Sequence, residues 1–111
     1  MSDERARRVG LNEALFRQVN EEIRGLTGTF GAEEGTMTVV CECGDAGCTE
    51  QLEVKVGDYE RIRSESRLYV IAPGHEIPDL EDVFERGESW VVVRKHEGVP
   101  AEVARETDPR N

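Results

Sequence analysis

The chain has 111 residues, of which 24 are acidic and 14 basic, and its formal net charge is −10. This length fits one domain with a modest core, to which a structural metal would add useful stability. The acidic surplus repels phosphate backbones and disfavours nucleic-acid binding. No apolar run is long enough to span a membrane and no signal peptide precedes the first helix, so we expect a cytoplasmic protein.

The first predicted element is a helix over residues 11–26, which residues 2–10 could extend. Residues 1–26 therefore form an N-terminal helical segment. Its apolar residues recur three or four positions apart and form one stripe, made of Leu11, Leu15, Val19, Ile23 and Leu26. The stripe predicts a helix packed on the domain's own sheet. The alternative is a helix that docks onto a protein partner or onto a second copy of the chain.

Residues 27–36 are rich in glycine and are predicted to form a flexible loop. The metal-binding core is expected over residues 37–98. Alternating β-branched and polar residues over 37–43 and again over 51–56 predict a hairpin with the cysteines at its tip. The remaining predicted elements of the core are a short helix around Tyr59 and Ile62, a strand over 68–71 and a second hairpin over 82–96.

Residues 99–111 are predicted to be a polar tail, with a weak helix from Val99 to Thr107. The elements together predict a single α+β domain. In this domain an N-terminal helix is followed by a small, mostly antiparallel sheet of two hairpins, which zinc stabilises.

All three cysteines lie within one window of eight residues, at the spacing C-x-C-x4-C. An odd number of closely spaced thiols is typical of a metal site and not of disulfides. Cys41 and Cys43 are two apart on a strand, so their side chains share a face. Gly44 and Gly47 are expected to allow unusual backbone angles in the turn that brings Cys48 to the same point. Because thiolate sulfur selects zinc, the sequence predicts one structural zinc ion.

A tetrahedral zinc ion needs a fourth ligand. His75 is the predicted one, because the Pro-Gly bend before it directs its side chain. Three further candidates for the fourth position are His96 at the end of a strand, the carboxylates of Glu42 or Asp45, and a water molecule. The predicted metal ligands are therefore Cys41, Cys43, Cys48 and His75.

Two further interpretations of the thiols are small apolar residues at a hairpin, and redox chemistry at Cys41 and Cys43. Unligated thiols at an exposed acidic turn would oxidise easily, and acidic neighbours raise a thiol pKa, which disfavours a reactive thiolate. Glu76 beside His75 suggests a general base, but adjacent residues of an extended chain point in opposite directions. H-E-x-x-H and the zinc deaminase signature are both absent, so no catalytic residue is predicted.

Four segments taken in order carry a resemblance: residues 12–23 of the helix, the cysteine cluster at 41–48, the Pro-Gly-His run at 72–76, and Asp-Pro-Arg at 108–110. The chain resembles a family of small uncharacterised bacterial proteins of about this length. The resemblance implies no activity. It implies that the helix, the cysteine hairpin and the Pro-Gly-His motif belong to one unit.

The sequence favours a non-enzymatic zinc-binding protein, an interaction or regulatory module that presents its N-terminal helix or acidic face to a protein partner. A zinc-dependent hydrolase with an open metal position is a second possibility. A third is a nucleic-acid-binding regulator, which would need five helical arginines on one exposed face, namely Arg5, Arg7, Arg8, Arg17 and Arg24.

Overall fold

The computed structural model describes residues 2–29 and 35–110. Its elements follow the chain in the order α1 (Asp3–Thr29), β1 (Thr36–Val40), β2 (Gln51–Lys55), α2 (Val56–Arg63), β3 (Leu68–Ile71), β4 (Glu81–Arg86), β5 (Val91–Lys95) and α3 (Val99–Glu106). The predicted α+β class is confirmed. Of the loop predicted at 27–36, residues 30–34 lie outside the described part of the chain. Among the helices described, none combines the length and the apolar character needed to cross a bilayer.

The strands form two small antiparallel sheets. Strands β1 and β2 are the first predicted hairpin, in which Thr36 pairs with Lys55 and Val40 pairs with Gln51. The second sheet has the order β3-β5-β4, so β5 is its central strand. The second predicted hairpin is therefore β4–β5, and the predicted strand at 68–71 is its antiparallel neighbour on the other side of β5.

The main core takes side chains from both sheets, and its composition follows from the sequence pattern of each strand. Strands β1 and β2 alternate buried and exposed residues, and Met37 and Val39 of β1 belong to the main core. Such alternation is expected for a sheet with one face in water. Strand β3 is buried throughout and so are residues 91–93 of β5, which matches the continuous apolar sequence of both segments.

Helix α1 packs on the domain through a different face from the one that its apolar periodicity predicts. Leu11, Leu15 and Leu26 of the predicted stripe are 50%, 63% and 64% exposed. Ile23 is half-buried and packs against the main core. The helix does pack on its own domain, but the prediction that this stripe forms the contact is wrong for most of its residues.

The buried face of α1 instead carries polar side chains that have partners far along the chain. Arg17 is buried and donates hydrogen bonds to the carbonyl oxygens of Ser66 and Ala104. Its guanidinium also lies 4.5 Å from the centre of the Tyr69 ring, a favourable cation–π contact. Arg17 is therefore inaccessible to a nucleic acid, and the five helical arginines do not share one exposed face.

The same face of α1 contributes Glu13 to a second set of buried polar side chains, the lysine cluster, which consists of Glu13, Glu81 and Lys95. Lys95 Nζ lies 3.0 Å from Glu13 Oε2 and 2.6 Å from Glu81 Oε1. All three side chains are almost fully buried. Burial, and next the nearby Glu81 carboxylate, raise the pKa of Glu13 to about 8 against the attraction of Lys95. The lysine cluster thus holds two carboxyl groups, one ammonium and a proton.

Helix α3 is the weak helix predicted in the tail, and it packs against α1. Pro100 stands in its first turn, where the missing N–H would have no helical partner. Ala101 and Val103 are fully buried. Beyond the helix, Arg110 forms an ion pair with Glu60 at 2.7 Å, so the end of the described chain has contacts with α2.

Candidate metal centre

The first two cysteines lie on a continuation of β1. The strand ends at Val40, earlier than predicted, but the chain beyond it stays extended because the amide of Glu42 donates to the carbonyl of Val70 at 2.8 Å. Successive side chains of an extended segment point to opposite sides. Cys41 and Cys43 accordingly share one side, as the spacing predicts, and Glu42 takes the other.

A tight turn then returns Cys48 to the first two thiols. The amide of Cys48 donates to the carbonyl of Asp45 at 3.0 Å, and the amide of Gly47 donates to Asp45 Oδ1 at 2.9 Å. Positive φ angles occur, among the residues described, only at two glycines elsewhere, so the predicted unusual backbone angles at Gly44 and Gly47 are wrong. Gly44 provides space instead, since a Cβ there would lie 2.4 Å from Val9 Cγ1 of α1.

His75 reaches the cysteines from the turn that follows β3. Its amide donates to the carbonyl of Ala72 at 3.1 Å, and Gly74 at the third position of the turn has φ of 88°. Proline second and glycine with positive φ third are the residues of a type II turn. The Pro73-Gly74 bend therefore directs His75 as the sequence predicts.

These four side chains come together in one group, the sulfur cluster, which consists of Cys41, Cys43, Cys48 and His75. Their ligand atoms all lie within 4.8 Å of one another. Nδ1 of His75 is 3.5 Å from Sγ of Cys41 and 3.7 Å from Sγ of Cys48. In a tetrahedral zinc site, with Zn–S about 2.3 Å and Zn–N about 2.0 Å, sulfur and nitrogen lie about 3.5 Å apart. The sulfur cluster thus has the donors and the dimensions to hold a metal ion.

Hydrogen bonds and burial act in opposite directions on the thiols. The amide of Ala72 donates to Cys41 Sγ at 3.1 Å, and the amide of Asp45 donates to the Cys43 sulfur. Burial nevertheless raises the pKa of both Cys41 and Cys43, and the Cys48 thiol raises both pKa values further. A bound divalent cation would reverse this balance, because it stabilises thiolates in place of protons. The raised pKa values also disfavour the redox interpretation.

Glu42, a candidate for the fourth ligand, is bound elsewhere. Its carboxylate lies 3.1 Å from the guanidinium of Arg63, and both side chains are almost fully buried. It also accepts a hydrogen bond from Asn20 at 2.7 Å. Glu42 therefore closes a buried ion pair on the far side of the extended segment and does not join the sulfur cluster.

His96, Glu76 and Asp45 each have a partner outside the sulfur cluster. Nε2 of His96 lies 3.1 Å from a carboxylate oxygen of Asp82. Glu76, considered as a general base, accepts a hydrogen bond from the amide of Gly74. Asp45 supports the turn before Cys48, because its carboxylate accepts the hydrogen bond from the amide of Gly47.

Two asparagines of α1 support the segment that carries the cysteines, a role that the sequence predicted for neither of them. Asn20 donates to the carbonyl of Val40 and accepts from its amide, both at 2.8 Å. Asn12 donates to the carbonyl of Gly44 at 3.1 Å. In the sequence they are only two amide side chains on the polar side of an amphipathic helix. Such side chains are common on exposed helix faces as well, so the sequence does not identify their role.

The sulfur cluster lies at the edge of the molecule. Cys48 and His75 are half-buried, whereas Cys41 and Cys43 are buried. A cavity of about 230 Å³ opens beside the cluster and is lined by Cys43, Gly44, Asp45, His75 and Ile77. An ion could reach the ligand atoms from this side without unfolding of the core.

Comparison with known proteins identifies no relative. No protein-family model, curated protein or solved structure matches the chain. The resemblance inferred from the sequence stays a prediction, and the function has to follow from the site itself.

Proposed function

We propose that this chain is a non-enzymatic protein that holds one structural zinc ion in the sulfur cluster and acts as a protein-interaction or regulatory module. The observation that carries the zinc proposal is the pair of sulfur–nitrogen distances, 3.5 and 3.7 Å, which match the edge of a tetrahedral zinc site. Three thiolates and an imidazole favour zinc over magnesium and calcium, which prefer oxygen ligands.

The zinc ion would tie the β1–β2 connection to the turn after β3. Cys41 and His75 are 34 residues apart, and a link across that distance restricts the unfolded chain. Structural zinc contributes about 10–16 kcal/mol of apparent binding free energy, which becomes folding free energy when the site exists only in the folded state. The ion would also fix α1, because Asn12 and Val9 contact the same connection at Gly44.

The interaction role is supported by the surface of α1. The helix exposes several large apolar side chains, and a contiguous apolar patch of this kind marks an interaction site. The zinc ion would hold the segment on which α1 packs and so would keep this surface in place. A regulatory role would follow if zinc supply controlled whether the surface exists.

A zinc-dependent hydrolase is the second candidate, and the cavity beside the sulfur cluster is the observation that favours it. Such an enzyme needs an open coordination position, whereas four protein ligands complete a tetrahedron. Substitution of zinc by cobalt distinguishes the hydrolase site from the structural site. A cobalt spectrum that does not change on addition of azide supports the structural site, and one that shifts supports the hydrolase.

The direct test of the proposal is elemental analysis of protein purified without added metal. We expect one equivalent of zinc in the wild type. His75→Ala and Cys48→Ser should each lose the zinc and should no longer unfold cooperatively. His96→Ala is the matched control, because that imidazole lies outside the sulfur cluster, and it should retain the metal. A zinc-free wild type that is well ordered contradicts the proposal, and full zinc retention in His75→Ala assigns the fourth ligand elsewhere.

A further inference from the structure

Four exposed apolar residues of α1 form one face, the leucine stripe, which consists of Leu11, Leu15, Val19 and Leu26. Between 36% and 64% of each residue is exposed. Residues three, four or seven positions apart lie on the same side of a helix, so these side chains are neighbours. Single exposed apolar residues are common, but a contiguous apolar face on one helix indicates an interaction surface.

Arg8 and Glu22 flank the Leu11–Val19 part of the leucine stripe with a symmetry that suggests what covers it. Arg8 lies seven residues before Leu15 and Glu22 lies seven residues after it, and seven residues return a helix to nearly the same side. Leu11 and Val19 stand four residues before and after Leu15. Arg8 and Glu22 are both outward-facing, and neither forms an ion pair within residues 2–29 and 35–110.

We propose that two copies of this chain associate through the leucine stripe, with their α1 helices antiparallel and the two-fold axis at Leu15. In this arrangement Leu15 meets Leu15 of the second copy, and Leu11 meets Val19. Arg8 of each copy meets Glu22 of the other, so both ends of the interface carry opposite charges. A parallel arrangement would place Arg8 on Arg8 and Glu22 on Glu22, which repel.

The geometry predicts a reversible dimer. The matched segment from Arg8 to Glu22 is about 22 Å long at 1.5 Å per residue. One helix face of this length buries less surface than a typical obligate dimer, and the net charge of −10 on each copy opposes association. We therefore expect a dissociation constant of roughly micromolar size at an ionic strength near 0.15 M, where general repulsion is screened beyond about 8 Å.

Sedimentation equilibrium of the full chain, with its zinc content measured in the same samples, tests the proposal. The wild type should pass from monomer to dimer as its concentration rises through the micromolar range. Leu15→Glu places two carboxylates at the two-fold axis and should weaken association at least 100-fold, with unchanged circular dichroism because the side chain is exposed. Phe84→Glu is the matched control, since Phe84 on β4 is also exposed and should leave the dimer unchanged.

A charge exchange tests the antiparallel arrangement. Arg8→Glu and Glu22→Arg should each weaken association about tenfold, because each places like charges together at both ends of the interface. The double variant Arg8→Glu/Glu22→Arg should restore wild-type association. A wild type that stays monomeric at several hundred micromolar, or a dimer that tolerates Leu15→Glu, overturns the proposal and leaves the leucine stripe to a different protein. A double variant no tighter than the single variants overturns the antiparallel pairing.

These outcomes can be distinguished from those of the zinc proposal. The substituted residues Arg8, Leu15 and Glu22 are exposed and lie outside the sulfur cluster, so these substitutions should not change the zinc content. A monomer that retains zinc contradicts the dimer alone, and a dimer without zinc contradicts the metal site alone.

Discussion

The sulfur cluster and the lysine cluster both bury several groups that can become negative, and they differ in the source of the compensating positive charge. In the lysine cluster the carboxyl groups of Glu13 and Glu81 meet the ammonium of Lys95, and Glu13 retains a proton. In the sulfur cluster the described partners are the other thiols, the imidazole and backbone amides. The first cluster is balanced within the chain, whereas thiolates in the second would need a cation from outside.

Removal of the metal should give the largest effect. Structural zinc contributes about 10 kcal/mol or more to folding, which is comparable to the whole stability of a small domain. We expect a strong chelator to abolish the cooperative thermal transition and the near-ultraviolet circular dichroism of the buried Trp90, and one equivalent of zinc to restore both. An unchanged melting temperature after verified removal of zinc would show that the chain does not need the ion.

Loss of the internal cation should come next. Lys95→Met leaves two carboxyl groups without their ammonium in the core, and removal of one member of a buried ion pair costs about 3–5 kcal/mol. Urea denaturation of the zinc-saturated protein measures this loss, and the zinc content should not change. Lys55→Met is the matched control, because Lys55 is exposed, and it should stay within about 0.5 kcal/mol of wild type. Equal effects of the two substitutions would contradict the role given to Lys95.

The third effect should appear in the dependence of stability on pH. The folded protein raises the pKa of Glu13 from 4.5 to about 8, so it holds a proton that the unfolded chain has released. This contribution is fully present below pH 4.5 and is lost as the pH rises through about 8. At saturating zinc, the stability of wild type relative to Glu13→Gln should therefore fall over this range. A difference that is constant with pH would contradict the raised pKa.

The smallest effect should be at an exposed ion pair that belongs to neither cluster. Nη1 of Arg61 lies 2.6 Å from Oε1 of Glu85, but about half of the arginine side chain is exposed to solvent. Exposed pairs contribute about 0–1 kcal/mol because water and salt screen them. Arg61→Ala should therefore lower the free energy of unfolding by less than about 1 kcal/mol, measured in urea. A loss as large as that of Lys95→Met would remove the distinction between buried and exposed charges.

The sulfur cluster could be predicted from the sequence because its determinants are local. The cysteine spacing, the extended segment and the Pro-Gly bend before His75 each involve only a few consecutive residues. The hairpins were predictable for the same reason, since alternation and turn residues are visible in short windows. The requirement for glycine at position 44 could not be predicted, because it arises from the close approach of Val9, a residue of another element.

The buried face of α1 could not be predicted, because its partners are distant in sequence. Glu13 and Lys95 are 82 residues apart, and Arg17 and Ala104 are 87 apart. Periodicity identified the helix and its apolar side, but it cannot say which side the domain covers. If the proposed dimer forms, Leu11, Leu15 and Val19 are buried after all, in an interface that the fold of one chain does not contain.

Zinc K-edge X-ray absorption of protein purified without added metal tests the central claim most directly. A structural site in the sulfur cluster predicts a first shell of three sulfur atoms at about 2.3 Å and one nitrogen at about 2.0 Å, with the outer-shell scattering of one imidazole. His75→Ala should lose the zinc signal, whereas His96→Ala should retain it together with the imidazole scattering. A shell of nitrogen and oxygen without sulfur, or a well-folded protein that contains no zinc, would contradict the account.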